Sequence, residues 1–356
     1  MPFGLLDGFI TPNEQFYIRS HFPVPEVDLK TWRLKIEGAV EQARSWTHDE
    51  LQELPAKTIP ATLECAGNSR VFLVPKVKGT QWELGAVGNA EWTGVSLGNC
   101  CGMAGVKSGA IEVILEGADS GAIAEPPRPA GKIHFARSIP LGKAMDDVLL
   151  AFRMNGQSLA PAHGFPLRAI VPGWYGMAAI KWLERVVVTD RPFNGYYQTV
   201  DYAFWEKGDT GAALVPITEM QVKAAIARPG INESIAAGTT YRVAGAAWTA
   251  NAEIVQVELS TDGGVSWRKA SLGEEKAKNS WRLWECDWKT PSRAGPLHAH
   301  GAGHGFARSH AADGARSGPR NLRDQSLSAD RGGGLLGGVE VRPVDLDSLT
   351  PGAKRS

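Results

Sequence analysis

The sequence is short of net charge and of long apolar runs, and each shortage excludes a class of protein. Lysine plus arginine and aspartate plus glutamate number 38 each, so the formal net charge is zero. A chain without net charge is not attracted as a whole to nucleic acid or to an anionic membrane surface. No stretch approaches the roughly 20 apolar residues that a membrane-spanning helix requires. We therefore expect no nucleic-acid partner and no membrane span.

Cysteine is also scarce, and its four copies form no disulfide framework. Two cysteines are adjacent and the other two lie far apart in the chain: Cys65, Cys100, Cys101 and Cys286. This pattern is typical of free thiols in a reducing compartment. The first residues lack the charged leader and apolar core of a signal peptide. We expect a cytoplasmic protein as the sequence is written, and a periplasmic one if a leader is missing.

The sequence also lacks the motifs of the common phosphate-bearing cofactors. No glycine-rich phosphate loop or dinucleotide fingerprint occurs between a predicted strand and a predicted helix. This absence makes NAD and ATP poor candidates. Any anionic cofactor must therefore be held by another arrangement of residues.

The length of 356 residues is enough for two domains, each with its own core. Beyond about residue 215 the chain becomes a series of short alternating strands, of which 254–259 is typical, with tight turns between them. Strands at this spacing predict a small β-sandwich. We place the domains at 1–215 and 216–345.

Three local signals in the first domain are clear. Alternating apolar residues in 32–36 predict a strand. Thr47 followed three residues later by Glu50 is the signature of a capping box, which predicts that a helix begins there. The Asn155-Gly156 pair predicts a turn.

The middle of the first domain is rich in glycine and asparagine. They recur through 82–106, which predicts a loop with one brief helix at its end. Residues 110–115 read as a strand. The Gly-Ala-Asp-Ser-Gly sequence at 117–121 predicts a loop directly after it.

The pattern collapses in 292–337, which is rich in glycine, alanine, arginine, serine and histidine. No stretch within it alternates well enough to predict a strand, whereas 339–342 again resembles one. We interpret this aberrant segment as translated out of frame. Four histidines lie there, but they lack neighbours that could orient metal ligands: His298, His300, His304 and His310.

The most informative stretch surrounds Cys65. A short apolar segment precedes Cys65, and a Gly-Asn pair after it allows a sharp turn. Arg70 follows five positions after the cysteine. A thiol beside a cation suits a nucleophile or a soft metal ligand. An inert buried cysteine explains the same residues, since free cysteine is among the most buried residue types.

Other cations lie beside turns in apolar or glycine-rich surroundings. As a set they suit a buried anionic or phosphate-bearing cofactor, because guanidinium and ammonium groups pair with phosphate oxygens. The set comprises Arg19, His21, Arg70, His163, Arg168 and Lys181.

These residues belong to ordered motifs that resemble the sulfite oxidase family of molybdenum enzymes, including bacterial sulfite dehydrogenases and the molybdenum subunit of sulfane dehydrogenases. The likeness covers about residues 10–290. The matching motifs are 16–25, 64–70, 138–141, 154–156, 163–168, 171–173, 181–183, 201–202, 245–248 and 257–264.

The resemblance implies an α+β fold: a mixed α/β molybdopterin domain followed by an immunoglobulin-like β-sandwich dimerisation domain. It implies a molybdenum–molybdopterin cofactor with Cys65 as the thiolate ligand to the metal. Arg19 and Arg70 would line an oxyanion pocket, with Tyr202 beside the metal as a hydrogen-bonding partner. The residues implied to hold the pterin and its phosphate are Tyr17, Ile18, Arg19, Ser20, His21, Asp119, His163, Arg168, Ala179, Ile180 and Lys181.

The activity implied is oxidation of sulfite or a related sulfur oxyanion by oxygen-atom transfer at molybdenum. No Cys-x-x-Cys-His motif occurs, so we expect no haem in this chain. Electrons would then pass to an external acceptor, a cytochrome c, and the protein would be a homodimer. Ser20 and Ser69 replace an asparagine and an arginine common in the animal enzymes, which leaves the preferred anion open.

Three other interpretations remain. A nitrate reductase-like molybdoenzyme would share the fold and reduce its substrate. A protein-methionine sulfoxide reductase would share the cofactor but lack the sandwich. A non-catalytic β-sandwich binding protein would leave Cys65 merely buried.

Overall fold

The computed structural model describes residues 2–208, 211–292 and 300–306. The helices are α1 (His48–Glu53), α2 (Leu97–Ala104), α3 (Leu141–Asp146) and α4 (Tyr196–Thr199), with 3₁₀ turns at Phe3–Leu5, Arg70–Phe72, Pro161–His163 and Gly176–Ala178. The strands are β1 (Leu34–Gly38), β2 (Arg44–Trp46), β3 (Ala56–Glu64), β4 (Val87–Ser96), β5 (Glu112–Ala122), β6 (Lys132–Pro140), β7 (Leu149–Met154), β8 (Gln157–Ser158), β9 (Arg168–Ile170), β10 (Leu183–Thr189), β11 (Ala203–Gly208), β12 (Gly211–Pro216), β13 (Lys223–Arg228), β14 (Thr240–Trp248), β15 (Glu253–Ser260), β16 (Arg268–Lys269), β17 (Ser271–Leu272), β18 (Arg282–Lys289) and β19 (His300–Phe306).

Strands β1 to β10 form two sheets. One has the order β2-β1-β10-β5-β6, in which β1 and β10 run parallel. The other has the order β3-β4-β7-β8, with β9 also paired to β7. Strand β3 lies at the edge of this other sheet and ends one residue before Cys65.

Strands β13 to β19 form a β-sandwich, as predicted. One of its sheets has the strand order β13-β14-β18-β17, and the other has the order β16-β15-β19. Val243, Val257, Leu259 and Trp284 form the centre of the apolar core of this sandwich. The α+β fold class with a following sandwich is confirmed.

The clearest local predictions are confirmed. Thr47 caps α1 through a capping box: its hydroxyl accepts from the Glu50 N–H at 3.1 Å, and the Glu50 carboxylate accepts from the Thr47 N–H at 2.7 Å. Strand β1 occupies the predicted alternating segment. Asn155 and Gly156 both have positive φ, at 50° and 75°, as the turn there requires.

The predictions of two loops were wrong. Much of 82–106 is the long strand β4, although the helix predicted at its end exists as α2. Strand β5 continues through the predicted loop at 117–121 as far as Ala122. In both places pairing with neighbouring strands outweighs the weak strand propensity of glycine and asparagine. Gly94 is required in β4, because a Cβ there would lie 2.0 Å from the Leu150 carbonyl oxygen.

The prediction that 292–337 contains no strand was also wrong, because β19 pairs antiparallel with β15. Its Gly-Ala-Gly-His-Gly sequence lacks apolar alternation, but the backbone supplies the ladder hydrogen bonds whatever the side chains are. The strand-like residues predicted at 339–342 lie outside the described residues. Within the described ranges, no helix is long and apolar enough to cross a membrane.

Candidate functional site

A cavity opens where the end of β3 meets the N-terminal segment and the loops around β9 and β10. Its space amounts to ≈ 620 Å³ when the open mouth is counted. Its walls are Tyr17, Ile18, Arg19, Ser20, His21, Cys65, Ala66, Asp119, Phe135, Ala162, His163, Arg168, Gly176, Met177, Ala179, Lys181, Trp182 and Tyr202.

A tight turn presents Cys65 to this cavity. The Cys65 N–H donates to the Ala86 carbonyl at 2.9 Å, which extends the pairing of β3 with β4 by one residue. The Gly67 N–H donates to the Cys65 sulfur at 3.4 Å, and Ser69 adopts a left-handed conformation with φ 69°. The thiol is thus held by backbone contacts at the point where the strand ends.

Burial raises the pKa of the Cys65 thiol. The Gly67 N–H and the cations Arg19 and Arg70 oppose that effect by favouring thiolate. Because burial is the largest cause, the side chain is a thiol until a further positive charge arrives. A metal ion supplies such a charge and deprotonates a coordinating thiol.

Arg168 is a buried cation with few partners. Its side chain is 6 % exposed, one guanidinium N–H donates to the His163 carbonyl at 3.3 Å, and the group lies 5.1 Å from the Trp92 ring centroid. Burial lowers its pKa to about 10. Its Nε has no hydrogen-bond partner among the described residues, and no carboxylate there lies within 4.0 Å of the group. A buried charge of this kind is costly unless an anion accompanies it.

Lys181 lies on the same wall. Its ammonium donates to the Ser20 hydroxyl at 2.6 Å and to the Ala162 carbonyl at 3.1 Å. Burial, and then the charge of Arg168, lowers the pKa of Lys181 from 10.5 to about 7. Asp119 raises it, but burial in turn raises the pKa of that carboxyl to about 6. The wall therefore carries more positive charge than its carboxylate can balance.

The depressed pKa of Lys181 predicts how the stability of the cofactor-free protein depends on pH. Between pH 7 and pH 10.5 the unfolded chain binds a proton that the folded chain does not, so the free energy of unfolding increases with pH. From pH 6 to pH 8 the gain should be about 1 kcal/mol larger than in Lys181→Met. Urea unfolding of the two proteins at both pH values measures this difference. Equal pH dependence in the two would contradict the buried-cation description.

His21 and Tyr202 meet at the opposite side of the cavity. The Tyr202 hydroxyl lies 2.9 Å from His21 Nε2, and the imidazole stacks on Phe135 with ring centroids 4.7 Å apart. Burial, followed by Arg19 and Lys181, lowers the pKa of His21 to about 3. Burial raises the pKa of Tyr202. At neutral pH this pair is an uncharged imidazole and a protonated phenol.

The two arginines predicted for the oxyanion pocket are placed differently. Arg19 lines the cavity and its guanidinium bonds the Ser20 carbonyl. Arg70 does not line the cavity: it donates to the Thr80 carbonyl at 3.0 Å and packs against Gly67 and Gly79. Its charge still acts on Cys65, whose pKa it lowers.

Ile180, which was predicted with the cofactor-binding residues, does not line the cavity. Its side chain is 1 % exposed and belongs to the apolar core, not to the cavity wall. Its carbonyl accepts from the Ala169 N–H at 2.8 Å. The neighbours Ala179 and Lys181 line the cavity, whereas the Ile180 side chain packs in the core. The structure brings the other predicted site residues together.

Comparison with known proteins gives the context of this cavity. Residues 21–197 match the oxidoreductase molybdopterin binding domain, and residues 215–295 match the Mo-co oxidoreductase dimerisation domain. The crystal structure of the sulfane dehydrogenase SoxCD from Paracoccus pantotrophus is similar, with a TM-score of 0.71 and 30 % sequence identity. The match covers 81 % of this chain and 71 % of that one. The chain belongs to the sulfite oxidase family of molybdopterin-dependent oxidoreductases.

The relatives of this chain include both sulfite oxidases and nitrate reductases. Human mitochondrial sulfite oxidase is 39 % identical over 310 residues, which is 82 % of this chain and 55 % of that protein. An NADH nitrate reductase of Brassica napus is 33 % identical over 316 residues, which is 79 % of this chain and 34 % of that protein. The chain thus spans about half the length of the sulfite oxidases it matches.

The cavity residues fit the cofactor of the sulfite oxidase family. The orphaned Nε of buried Arg168 and the unbalanced charge of Lys181 call for an anion with several acceptor oxygens, such as a phosphate. Cys65 offers a soft sulfur ligand at the same cavity. Among the described residues, no cluster of three or more histidine, cysteine or acidic side chains could hold a metal by itself. A metal that arrives with its own pterin ligands, and needs one protein thiolate, suits this donor set.

Sequence reasoning missed several residues that shape the cavity. Phe135 positions His21, and Trp182 donates to the Pro161 carbonyl at 2.8 Å. A larger residue at position 176 would displace the Tyr17 side chain, because a Cβ there would lie 2.4 Å from the Tyr17 hydroxyl oxygen. Nothing in the spacing of these residues shows which segments of the chain they face.

Proposed function

We propose that the protein is a molybdenum-dependent oxidoreductase that oxidises sulfite or a related sulfur oxyanion by oxygen-atom transfer and passes electrons to an external acceptor, a cytochrome c. The observation that carries the proposal is a cysteine thiol in a cavity where, among the described residues, no carboxylate lies within 4.0 Å of the charged nitrogens of Arg168 or Lys181. The similarity to human sulfite oxidase and to the sulfane dehydrogenase supports a sulfur substrate.

The cavity residues divide into those that would hold the cofactor and those that would meet the substrate. Cys65 would supply the thiolate ligand, while Arg168, Lys181 and His163 would pair with the phosphate and pterin. Burial and the charge of Arg168 lower the pKa of His163 to about 4, so it is a neutral hydrogen-bonding group at neutral pH. When bound, the molybdenum cofactor supplies two-electron oxygen-atom transfer chemistry.

The remaining residues attract and orient an oxyanion. The Arg19 guanidinium supplies a fork of N–H donors suited to a pyramidal or tetrahedral oxyanion, and Arg70 adds positive charge from outside the wall. With the neutral His21 imidazole donating through Nε2–H to the phenol oxygen, the Tyr202 O–H is free to donate one further hydrogen bond to the oxyanion. These groups position a substrate near Cys65 and stabilise its negative charge.

The second candidate is a nitrate reductase-like enzyme, since nitrate is also a small oxyanion. The nitrate reductase relatives support it, but their identity of 33 % is lower than the 39 % to human sulfite oxidase. The two candidates differ in the direction of electron flow. The same purified protein can therefore test both.

The deciding experiment is a steady-state assay on protein from a host that makes molybdopterin. We expect one pterin and one molybdenum per chain, and sulfite-dependent reduction of ferricyanide or cytochrome c. Nitrate with a reduced viologen is the matched assay for the alternative. Cofactor-loaded protein that turns over nitrate but not sulfite would overturn the proposed substrate, and absence of molybdenum and pterin would favour a non-catalytic binding protein.

Arginine substitutions test the oxyanion site. We expect Arg19→Met to raise the KM for sulfite by about 10- to 100-fold, since one charge-assisted contact is worth roughly 1.5–3 kcal/mol. Arg70→Met should have a smaller effect in the same direction, because Arg70 acts from outside the cavity wall. Initial rates at constant cofactor content measure both. Unchanged KM in Arg19→Met would remove Arg19 from the substrate site.

We also propose that the protein is a homodimer assembled through the domain that we place at 216–345. The match of 215–295 to a dimerisation domain supports this. Sedimentation equilibrium gives the mass directly: a dimer has twice the chain mass of 38.2 kDa. A mass of a single chain at micromolar concentration would contradict the proposal.

A further inference from the structure

The buried carboxylate of Glu64 adjoins Cys65 in sequence and links strand β3 to the β-sandwich. Glu64 is 0 % exposed. One oxygen accepts from the Lys223 ammonium at 2.6 Å and from the Asn68 amide at 3.2 Å, and the other accepts from Trp248 Nε1 at 2.9 Å. Three side chains therefore surround this charge, and two of the three belong to the sandwich.

The two distant partners form one unit. Lys223 begins β13 and Trp248 ends β14, and the two residues lie directly opposite each other in the antiparallel pair. The ladder between these strands therefore fixes the spacing of the ammonium and the indole N–H. Together they form a rigid receptor for one carboxylate at the edge of the four-stranded sheet.

Strand β3 makes another attachment to the sandwich at Thr62, two positions before Glu64. The Thr62 N–H donates to the Asn279 carbonyl at 3.0 Å, and the Trp281 N–H donates to the Thr62 hydroxyl at 2.7 Å. Since β3 is an edge strand, its outer side would otherwise leave such groups unpaired. The sandwich thus contacts β3 at alternate residues just before the turn.

Hydrogen bonds connect Glu64 to the turn that contains Cys65. Its contact with the Asn68 amide orients that side chain, whose oxygen accepts from the Ala86 N–H at 3.0 Å. The Ala86 carbonyl in turn accepts from the Cys65 N–H. A chain of hydrogen bonds therefore connects Lys223 and Trp248 to the backbone that holds the thiol.

We propose that Lys223 and Trp248 are positioning residues for Cys65, acting through Glu64, so that the sandwich holds the reacting centre in place. The role of Cys65 as metal ligand rests on the proposed function, whereas the control of its position does not. Loss of either contact leaves a buried carboxylate incompletely paired, and the turn has to shift to satisfy it.

The first test measures the turn without relying on activity. In the full-length protein we compare Lys223→Met and Trp248→Phe with Trp284→Phe, which makes the same change at a buried indole in the sandwich core that has no hydrogen-bond partner among the described residues. Hydrogen exchange of the peptide covering 62–70 should accelerate at least tenfold in the first two variants and not in the third. Equal protection in all three would overturn the proposal.

Thiol labelling gives an independent measurement. Cys100 and Cys101 are 0 % exposed, so in a Cys286→Ser background Cys65 is the accessible thiol. In protein made without the pterin cofactor, an aromatic disulfide reagent should label Cys65 at least fivefold faster in Lys223→Met than in Trp284→Phe. Identical labelling rates would count against a change in the position of Cys65.

A second substitution that restores slow hydrogen exchange in Lys223→Met distinguishes a positioning role of Lys223 from a general contribution to stability. The double variant Glu64→Gln/Lys223→Met removes both charges but keeps an acceptor oxygen beside Trp248. It should restore hydrogen exchange of 62–70 to within twofold of wild type, whereas a merely structural loss at Lys223 would persist. In loaded protein, the Mo(V) paramagnetic resonance spectrum should shift in Lys223→Met and be unchanged in Trp284→Phe.

The outcomes distinguish the two proposals. If the protein binds no molybdenum but the exchange and labelling differences appear, the proposed function fails and the coupling stands. If the loaded wild type oxidises sulfite but all variants match Trp284→Phe in exchange, labelling and spectrum, the coupling fails and the function stands.

Discussion

Replacing Cys65 with serine should abolish sulfite turnover while the fold persists. A serine hydroxyl does not become an anionic soft ligand at neutral pH, whereas a thiolate bound to a metal does. The loss should exceed the roughly 10- to 100-fold that loss of an outer-shell partner costs. The turn should survive, because the Cys65 sulfur accepts a backbone hydrogen bond from Gly67 at 3.4 Å that a serine oxygen can also accept.

Three measurements test this expectation: turnover per chain, molybdenum content, and the midpoint of thermal unfolding. Cys286→Ser is the matched control, since Cys286 lies on β18 in the sandwich and is not among the residues that line the cavity. It should retain wild-type turnover. Appreciable sulfite oxidation by Cys65→Ser would show that Cys65 is not the ligand.

Replacing Arg168 with methionine should have opposite effects on cofactor retention and on the stability of the cofactor-free protein. The buried guanidinium has one carbonyl partner and an orphaned Nε among the described residues, so it is costly without an anion. Methionine removes that cost, and the free energy of unfolding of the cofactor-free protein should be unchanged or increased. Retention of the cofactor should fall by about 10- to 100-fold or more, as expected for the loss of charge-assisted contacts.

Arg137 provides the matched control for Arg168. It is also buried, with a pKa lowered to about 10, and its Nε likewise has no hydrogen-bond partner among the described residues. The difference is that its other guanidinium nitrogens donate to three carbonyls, those of Tyr197, Tyr202 and Ile217, whereas Arg168 donates to one. Arg137→Met removes the donor to the Tyr197 and Ile217 carbonyls, whereas the Tyr202 carbonyl still accepts from the Ile217 N–H at 2.9 Å, and it should lower stability without a specific loss of pterin. Pterin fluorescence after denaturation and urea unfolding separate the two arginines. If Arg168→Met destabilised the protein as Arg137→Met does, Arg168 would be a structural residue.

Local signals in the sequence predicted several elements well. The capping box of α1 depends on residues three apart, and the Asn155-Gly156 turn depends on two neighbours, so nothing distant can easily override them. Strand β4 and the second half of β5 were missed because their glycines are tolerated only through partners elsewhere, such as the β7 backbone beside Gly94. Strand β19 was missed for a similar reason, since the backbone of β15 provides its pairing.

Most of the site residues could be named from the sequence, because the chemistry of the residue types and the order of the motifs point to an anionic metal cofactor. Their arrangement could not be. The hydrogen bond between His21 and Tyr202 joins residues 181 positions apart, and spacing along a chain carries no information about such a contact. By the same limit, spacing does not show that Arg70 donates to the Thr80 carbonyl and acts on Cys65 from behind the residues that line the cavity.

The sequence by itself determined the family, the α+β fold class with its sandwich, and Cys65 as the candidate ligand. Only the tertiary structure decided which cations are buried without a partner among the described residues, and how Lys223 and Trp248 reach Glu64 beside that thiol. The physical reason is that residue chemistry belongs to single positions, whereas burial and pairing depend on which distant strands the fold brings together. Lys223 and Glu64 are 159 positions apart, yet their charged atoms lie within 2.6 Å.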